Sequence, residues 1–250
     1  MDNYTYVSYY IKSTDCDIND DVLLNNLFGY LQEAAGASAA SFGVSTQALN
    51  EHNWCWILIN TTMEVDRLPK WGETIKIRTW STGVNKFYWG REYEVMTESD
   101  EVICKATSSW IVGDMESHRP VVPAKYPELS LDFLMSTRRV FGEEVIGRIK
   151  APKFDTLDFD PIIIKYADYS DLDRNHHVNN TRYLAWFEDA IYKYGIQIDD
   201  VKRVSVEYLA EVKSGNSVKI YVIKNDDGTI TVAGYNDSNE ASFVIKATLN

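Results

Sequence analysis

The chain has 250 residues, of which 45% are hydrophobic and 25% charged, and this composition excludes a disordered chain, a collagen and a small disulfide scaffold. Its 25 Lys and Arg residues stand against 37 Asp and Glu residues, a net charge of −12 that is opposite to the balance of most nucleic-acid binders. Three widely spaced cysteines, Cys16, Cys55 and Cys104, predict a reducing compartment without a structural disulfide or zinc ribbon.

No targeting or membrane segment is predicted. The first ten residues, MDNYTYVSYY, contain neither a basic region nor a long apolar run, so we expect no signal peptide. The most apolar short stretch, residues 54–59, is much too short to span a bilayer. These patterns predict a cytoplasmic protein without a membrane span.

The first half of the chain reads as one strand, one helix and four further strands. A strand is predicted over residues 6–11. A helix is predicted over 24–42, because apolar residues recur there at helical spacing: Leu24, Leu27, Phe28, Leu31, Ala34 and Ala35. Alternation, as at Ile75 and Ile77, predicts strands near 54–65, 73–82, 87–97 and 101–112.

The second half repeats this order after a proline-rich connection. Residues 119–158 contain four of the six prolines and are predicted to be a linker. The following elements are a strand near 162–167, a helix over 180–194, and strands near 202–211, 217–224, 229–235 and 241–249.

Three sequence matches, in the same order in both halves, indicate a duplicated unit. DCDINDDV at 15–22 resembles DLDRNHHV at 171–178, KWGETIKI at 70–77 resembles KSGNSVKI at 213–220, and KAT occurs at 105–107 and 246–248. One helix followed by consecutive strands predicts an α+β unit whose helix lies across an antiparallel sheet. The predicted organisation is an N-terminal unit over 1–118, the linker over 119–158 and a C-terminal unit over 159–250.

The polar segment 171–180 is compatible with several kinds of site. Its Asp and Asn residues suit a turn and a helix N-cap at Asn179. A calcium loop is disfavoured, because Gly and Glu are missing from the positions that an EF-hand requires. Adjacent histidines are poorly placed to share a transition metal. The fourth interpretation is an acid–base site, since His177 replaces Asp21 of the first copy.

The same residues resemble a known family. The pattern Asp173-x-Asn175-x-His177-Val178-Asn179-Asn180, with VEYLAE at 206–211, resembles the two signature blocks of acyl-acyl carrier protein (acyl-ACP) thioesterases. The resemblance covers nearly the whole chain, since that family is built from two tandem hotdog units. Without a plant-type transit peptide, the chain resembles the bacterial members. The implied reaction is hydrolysis of acyl-ACP to free fatty acid, without a cofactor or metal.

The resemblance also implies the catalytic residues. Asp173, Asn175 and His177 match the catalytic loop, and Glu211 matches the catalytic glutamate of the following strand. Where plant members have a cysteine after that glutamate, this chain has Val212, so water is the expected nucleophile. Glu207 lies four residues before Glu211, on the same face if both belong to one strand, and is expected to be structural.

The residue types fit the chemistry of thioester hydrolysis. Glu211, with His177, is the expected general base, Asn175 would position the water or the carbonyl, and Asp173 would orient Asn175 or His177. Backbone N–H groups near Asn179 and Asn180, at the helix N-terminus, would stabilise the oxyanion. The leaving thiol has a pKa of about 8.5 and needs little assistance from an acid.

Several alternatives stay open on the sequence. The substrate could be acyl-CoA, and a hotdog 3-hydroxyacyl thioester dehydratase or a non-catalytic acyl-binding protein is less favoured. The sequence does not indicate which acyl chain length is preferred. Both a monomer and a homodimer are compatible with the repeat. Candidates for the acyl pocket, each also compatible with plain core, are Leu27, Tyr30, Leu31, Trp54 and Trp56.

An acidic enzyme would repel an acidic carrier protein, but the charge is uneven. Residues 119–153 carry a net charge of +3, which leaves −15 on the rest of the chain. This segment is either a solvated surface or a docking site for the carrier and its phosphopantetheine-linked acyl chain. The docking candidates are Arg138, Arg139, Arg148 and Lys150.

Overall fold

The computed structural model describes residues 3–117, 119–125, 129 and 135–250. Their contacts divide the chain into unit 1, formed by Met1–Val22 and Leu27–Val145, and unit 2, formed by Leu23–Asn26 and Ile146–Asn250. The segment predicted to be a linker is therefore shared between the units at residue 145. Residues 126–128 and 130–134 of that predicted linker lie outside the described part of the chain.

Unit 1 is an antiparallel sheet with a long helix. Its strands lie in the order β1-β3-β4-β5-β2, each pair antiparallel. Their bounds, with those of the two helices, are β1 Thr5–Tyr10, α1 Leu24–Ser41, α2 Thr46–Asn50, β2 Trp54–Val65, β3 Thr74–Asn85, β4 Tyr88–Thr97 and β5 Val102–Asp114.

Helix α1 covers one face of the unit 1 sheet. Leu27, Leu31 and Ala34 are buried, as the helical spacing predicts. Near the C-terminal end of the helix, Ala39 packs in one apolar cluster with Trp89 of β4 and with Trp54 of β2. Burying this apolar stripe against the sheet is the main reason that the segment is helical.

Unit 2 repeats the arrangement. Its strands lie in the order β7-β10-β9-β8-β6, again antiparallel. The elements are β6 Ile163–Tyr166, α3 Asn180–Tyr194, β7 Val201–Tyr208, β8 Ser217–Lys224, β9 Ile230–Tyr235 and β10 Ala241–Leu249. The first residues of α1 belong to unit 2 by their contacts. There, the N–H groups of Leu24 (2.5 Å) and Asn25 (3.3 Å) donate to the carboxylate of Glu188.

The ends of α3 are set by local chemistry. The side chain of Asn179 accepts a hydrogen bond from the N–H of Thr181 and caps the first turn. At the other end, Gly195 adopts φ 96°, a left-handed conformation that favours glycine, and stops the helix. Both bounds agree with the helix predicted over 180–194, and the α+β class is confirmed in both units.

Two local features differ from the prediction. The short helix α2 is capped by Ser45 and was not predicted, because five residues are too few to show a helical period. Strand β7 ends at Tyr208 rather than at residue 211, because Leu209 and Ala210 both donate to the carbonyl of Ser242 and interrupt the ladder.

Within the described residues, none of the helices has the length and apolarity needed to cross a membrane.

Candidate functional site

Asp173 organises the loop that precedes α3. Its Oδ1 accepts hydrogen bonds from the N–H groups of Asn175 (2.8 Å) and His177 (3.4 Å), and its own N–H donates to the carbonyl of His177 (2.8 Å). Oδ2 accepts from the Asn175 amide at 3.4 Å, so Asp173 also orients that side chain. The turn closes through His176, which adopts φ 63°.

The loop brings His177 to Glu211. Nε2 of His177 lies 3.2 Å from Oε2 of Glu211, with the two side chains 26% and 65% exposed. The backbones are also paired, because His177 forms a bridge with Lys213 and the Val178 N–H donates to the Val212 carbonyl at 2.8 Å. An imidazole paired with a carboxylate, partly open to water, is suited to accept and return a proton near neutral pH.

Of the backbone N–H groups of Asn179, Asn180 and Thr181 at the start of α3, one is available to a ligand. The N–H of Asn179 donates to the carbonyl of Asp171 (2.8 Å), and the N–H of Thr181 donates to Oδ1 of Asn179 (2.9 Å). The N–H of Asn180 has no partner in the part of the chain that the structure describes. Of the two predicted oxyanion positions, Asn180 therefore keeps a free N–H, whereas the Asn179 N–H is already used.

The first copy of the repeat builds the same loop without the acid–base pair. Asp17 accepts from the N–H groups of Asn19 (2.8 Å) and Asp21 (3.1 Å), and Asp20 adopts φ 64°. Asp21, in the place of His177, forms an ion pair with Lys70 at 2.8 Å. The repeat aligns Leu68 with Glu211. The Asp and Asn residues thus maintain the loop in both units, and only unit 2 adds a histidine and a carboxylate.

Tyr183, in the helix predicted over 180–194, lies beside the candidate site and was not among the predicted catalytic residues. It is 3% exposed, and its ring packs against Phe243 (4.9 Å) and Trp186 (5.4 Å). Its hydroxyl accepts a hydrogen bond from the N–H of Val212. Burial, with the nearby charges of Glu211 and Asp173, raises the pKa of Tyr183, which keeps it a neutral phenol.

Val212 is thereby held from two sides, by Tyr183 of α3 and by Val178 of the loop. Replacing Tyr183 by Phe removes the hydroxyl and leaves the ring in place. We expect kcat to fall about tenfold with KM unchanged, because Glu211 loses its fixed position next to His177. The measurement is kcat and KM for an acyl thioester, with Tyr194→Phe, at the exposed end of the same helix, as the control. A rise in KM alone would contradict this role.

Glu207 lies in a different environment from Glu211. Its side chain is 2% exposed and pairs with Arg148 at 3.0 Å, while the N–H of Ile149 donates to its other oxygen at 3.3 Å. The expectation that the two glutamates share a strand face is wrong, because β7 ends between them at Tyr208. Glu207 anchors the segment that enters unit 2.

The candidate docking arginines contact their own units. Arg138 pairs with Glu94 and lies over the ring of Trp80 at 4.8 Å. Arg139 donates to the carbonyl of Ser136 at 2.9 Å. Arg148 pairs with Glu207, and Lys150 is exposed.

The five candidates for the acyl pocket do not share one environment. Trp54 and Trp56 belong to one apolar cluster of unit 1, and Leu27 and Leu31 are buried in the same unit. Tyr30 is engaged elsewhere, since its hydroxyl donates to Asp15 at 2.6 Å and its ring stacks on Tyr9. Among residues with described positions, no three His, Cys, Asp or Glu side chains form a metal-binding group.

Family models match both halves of the chain. The acyl-ACP thioesterase N-terminal domain matches residues 2–125, and the acyl-ACP thioesterase C-terminal domain matches residues 164–248. Among curated relatives, the palmitoyl-acyl carrier protein thioesterase of Gossypium hirsutum is 23% identical over 93% of this chain and 58% of its own length. The oleoyl-acyl carrier protein thioesterase of Coriandrum sativum is 26% identical over 84% and 60%. The chain spans about three-fifths of these relatives.

Solved structures show the same fold. An acyl-ACP thioesterase from Bacteroides thetaiotaomicron superposes with a TM-score of 0.86 at 22% identity, covering 99% of this chain and 98% of that one. The 12:0-ACP thioesterase from Umbellularia californica gives 0.84 at 17% identity, with 99% and 97% covered. These likenesses confirm the predicted tandem hotdog fold.

Proposed function

The chain belongs to the acyl-ACP thioesterase family, and from this premise we propose that it hydrolyses acyl-ACP to a free fatty acid and the carrier thiol. The observation that carries the proposal is the pair of His177 and Glu211, 3.2 Å apart beside the N-terminus of α3. The family resemblance assigns both residues to catalysis, and the first copy of the loop lacks both.

In the proposed mechanism, a water molecule is activated by Glu211 together with His177. The water oxygen attacks the thioester carbonyl carbon while its proton passes to this pair. The N–H of Asn180 donates to the developing oxyanion, and the positive end of α3 adds to its stabilisation. The C–S bond then breaks and the thiolate of the phosphopantetheine arm leaves. Asp173 acts through the loop, by fixing Asn175 and His177, and Asn175 orients the water or the carbonyl.

Comparison of carriers tests the substrate class. Purified protein is assayed with the same acyl group on acyl carrier protein and on CoA, and kcat/KM is compared. A larger value for the protein carrier supports the proposal, whereas a larger value for CoA assigns an acyl-CoA thioesterase. Hydration of an enoyl thioester without thiol release would identify a dehydratase, and binding without turnover an acyl-binding protein. The product profile by chain length defines the acyl preference.

We further propose docking of the acidic carrier on the basic segment 119–153. Lys150 is the sharper test residue, because it is exposed, whereas Arg138 and Arg148 pair with buried glutamates. Lys150→Glu should raise KM for acyl-ACP several-fold at low salt and leave KM for a small acyl thioester unchanged. Lys224→Glu, on β8, is the control for charge alone. Equal effects of both substitutions on KM would contradict docking at Lys150.

The compartment and the assembly belong to the same proposal. Within the described residues, Cys16, Cys55 and Cys104 form no disulfide, which supports a reducing cytoplasm. Because the two units supply a hotdog pair within one chain, a monomer is sufficient for the proposed reaction; light scattering of the purified protein distinguishes it from a homodimer.

A further inference from the structure

Unit 1 carries a row of polar side chains across the middle of its sheet, on the face that α1 covers. Arg91 of β4 lies opposite Ser81 of β3 and Ser108 of β5, and Ser108 lies opposite Thr61 of β2. Residues directly opposite in an antiparallel ladder project to the same face. Arg91 is two positions from Trp89, which packs with α1, so the row lies on the face that α1 covers, with Ser108 and Thr61 buried and Arg91 and Ser81 partly exposed.

In unit 2, the row that is in register with Lys224, the counterpart of Ser81, is apolar apart from Lys224 itself. The repeat aligns Lys224 with Ser81, and the registered partners across the unit 2 sheet are Ile230, Ala247 and Val204. Those three are fully buried core residues. Unit 2 therefore completes the same fold with apolar residues at the β7, β9 and β10 positions of this row, so the polar row of unit 1 is not a requirement of the architecture.

Arg91 is the unusual member of the row. One of its guanidinium nitrogens donates to the hydroxyl of Thr79 at 3.1 Å. No carboxylate lies within 4.0 Å of it among the residues that the structure describes. The adjacent Glu92 and Glu94 project to the opposite face, where they bond to the N–H of Val140 and to Arg138. Burial lowers the pKa of Arg91, as expected for a cation without an anionic partner.

Further unused donors lie in the same interior. The indole N–H of Trp89 is buried and has no partner in the described structure, and the same holds for the hydroxyl of Ser38 on α1. Guanidinium and indole N–H groups are donors only, so the group that satisfies them is an acceptor. A guanidinium without an anionic partner favours a carboxylate, which compensates its charge and can accept two hydrogen bonds. The neighbouring Trp110, Met63 and Ala106 suit an aliphatic chain attached to it.

We propose that unit 1 binds the carboxylate of an aliphatic acid between α1 and its sheet, with Arg91 as the ion-pair partner and Trp89 as a second donor. Two sources carry this chemistry: the fatty acid that the proposed reaction releases, and an acyl thioester with a carboxyl group at its far end. The assignment of these two sources rests on the proposed function. Binding of the acid itself does not, because it requires no hydrolysis.

Binding of matched ligands tests the site. The full-length protein is titrated with decanoic acid and with decanol, followed by tryptophan fluorescence. We expect the acid to bind at least tenfold more tightly than the alcohol, with the preference lost in Arg91→Leu, retained in part in Arg91→Lys and weakened in Trp89→Phe. The Glu211→Gln variant should keep the full preference, so a failure of the hydrolysis proposal would not affect this result. Equal binding of acid and alcohol, or an unchanged preference in Arg91→Leu, would overturn the inference.

Kinetics distinguish the two sources. If the bound acid is the product, decanoate inhibits hydrolysis and Arg91→Leu relieves the inhibition. If it is the far end of a substrate, kcat/KM is higher for an ω-carboxyl acyl thioester than for its methyl ester, and Arg91→Leu removes the difference. Either result supports a carboxylate site. If the wild-type protein shows neither effect, the proposal is contradicted. Arg91→Lys serves as the test variant if Arg91→Leu does not fold.

Discussion

Glu211→Gln is expected to lower kcat for acyl-ACP hydrolysis by about 10²–10⁴-fold, because the amide cannot take a proton from the attacking water. The substitution is nearly isosteric, and the side chain is 65% exposed, so the fold should be unaffected. His177→Ala removes the partner at 3.2 Å and should cause a loss of similar size. Because the pair acts as a unit, the double variant should lose little more than either single one.

The measurement is single-substrate kinetics with release of the carrier thiol, together with circular dichroism to verify folding. Glu240→Gln, at an exposed turn of unit 2, is the matched control and should retain full activity. Asp21→Asn tests the first copy of the loop and should also leave kcat unchanged, because its ion pair with Lys70 is structural. Full activity in both Glu211→Gln and His177→Ala would refute the proposed site.

Phe243→Ala is expected to destabilise the protein by about 3–5 kcal/mol, the usual cost of truncating a fully buried aromatic side chain. Phe243 of β10 is 0% exposed, and its ring lies 4.9 Å from the ring of Tyr183 and 6.4 Å from that of Trp186. The sheet is shaped around it, since a Cβ on Gly234 would lie 2.1 Å from the Phe243 ring. Alanine would leave a cavity beneath α3.

Urea denaturation measures this loss of unfolding free energy, as a shift of the midpoint at constant slope. Phe159→Ala is the control, because Phe159 is 45% exposed and should cost about 1 kcal/mol or less. Since Phe243 supports Tyr183, its replacement should also reduce kcat in the fraction that remains folded. Equal destabilisation by the two substitutions would contradict the packing argument.

One part of the candidate site could be predicted from local sequence, and the other part is supplied by a distant segment. Asp173, Asn175 and His177 occupy one short loop, whose hydrogen bonds join residues two to four positions apart. Such local contacts follow from the residue types, so the sequence predicts them. Glu211 lies 34 positions after His177, and its place in the site was carried by the family resemblance rather than by spacing.

By itself, the sequence determined the type and order of the strands and of the two long helices α1 and α3, because helical and strand periods are local and the repeat supplies each of these elements twice. The end of β7 at Tyr208, the pairing of Glu207 with Arg148 and the hold of Tyr183 on Val212 required the tertiary structure. The polar row around Arg91 also became visible only through strand register. These features depend on which distant segments pair, and in what register, and neither is encoded in the periodicity of one segment.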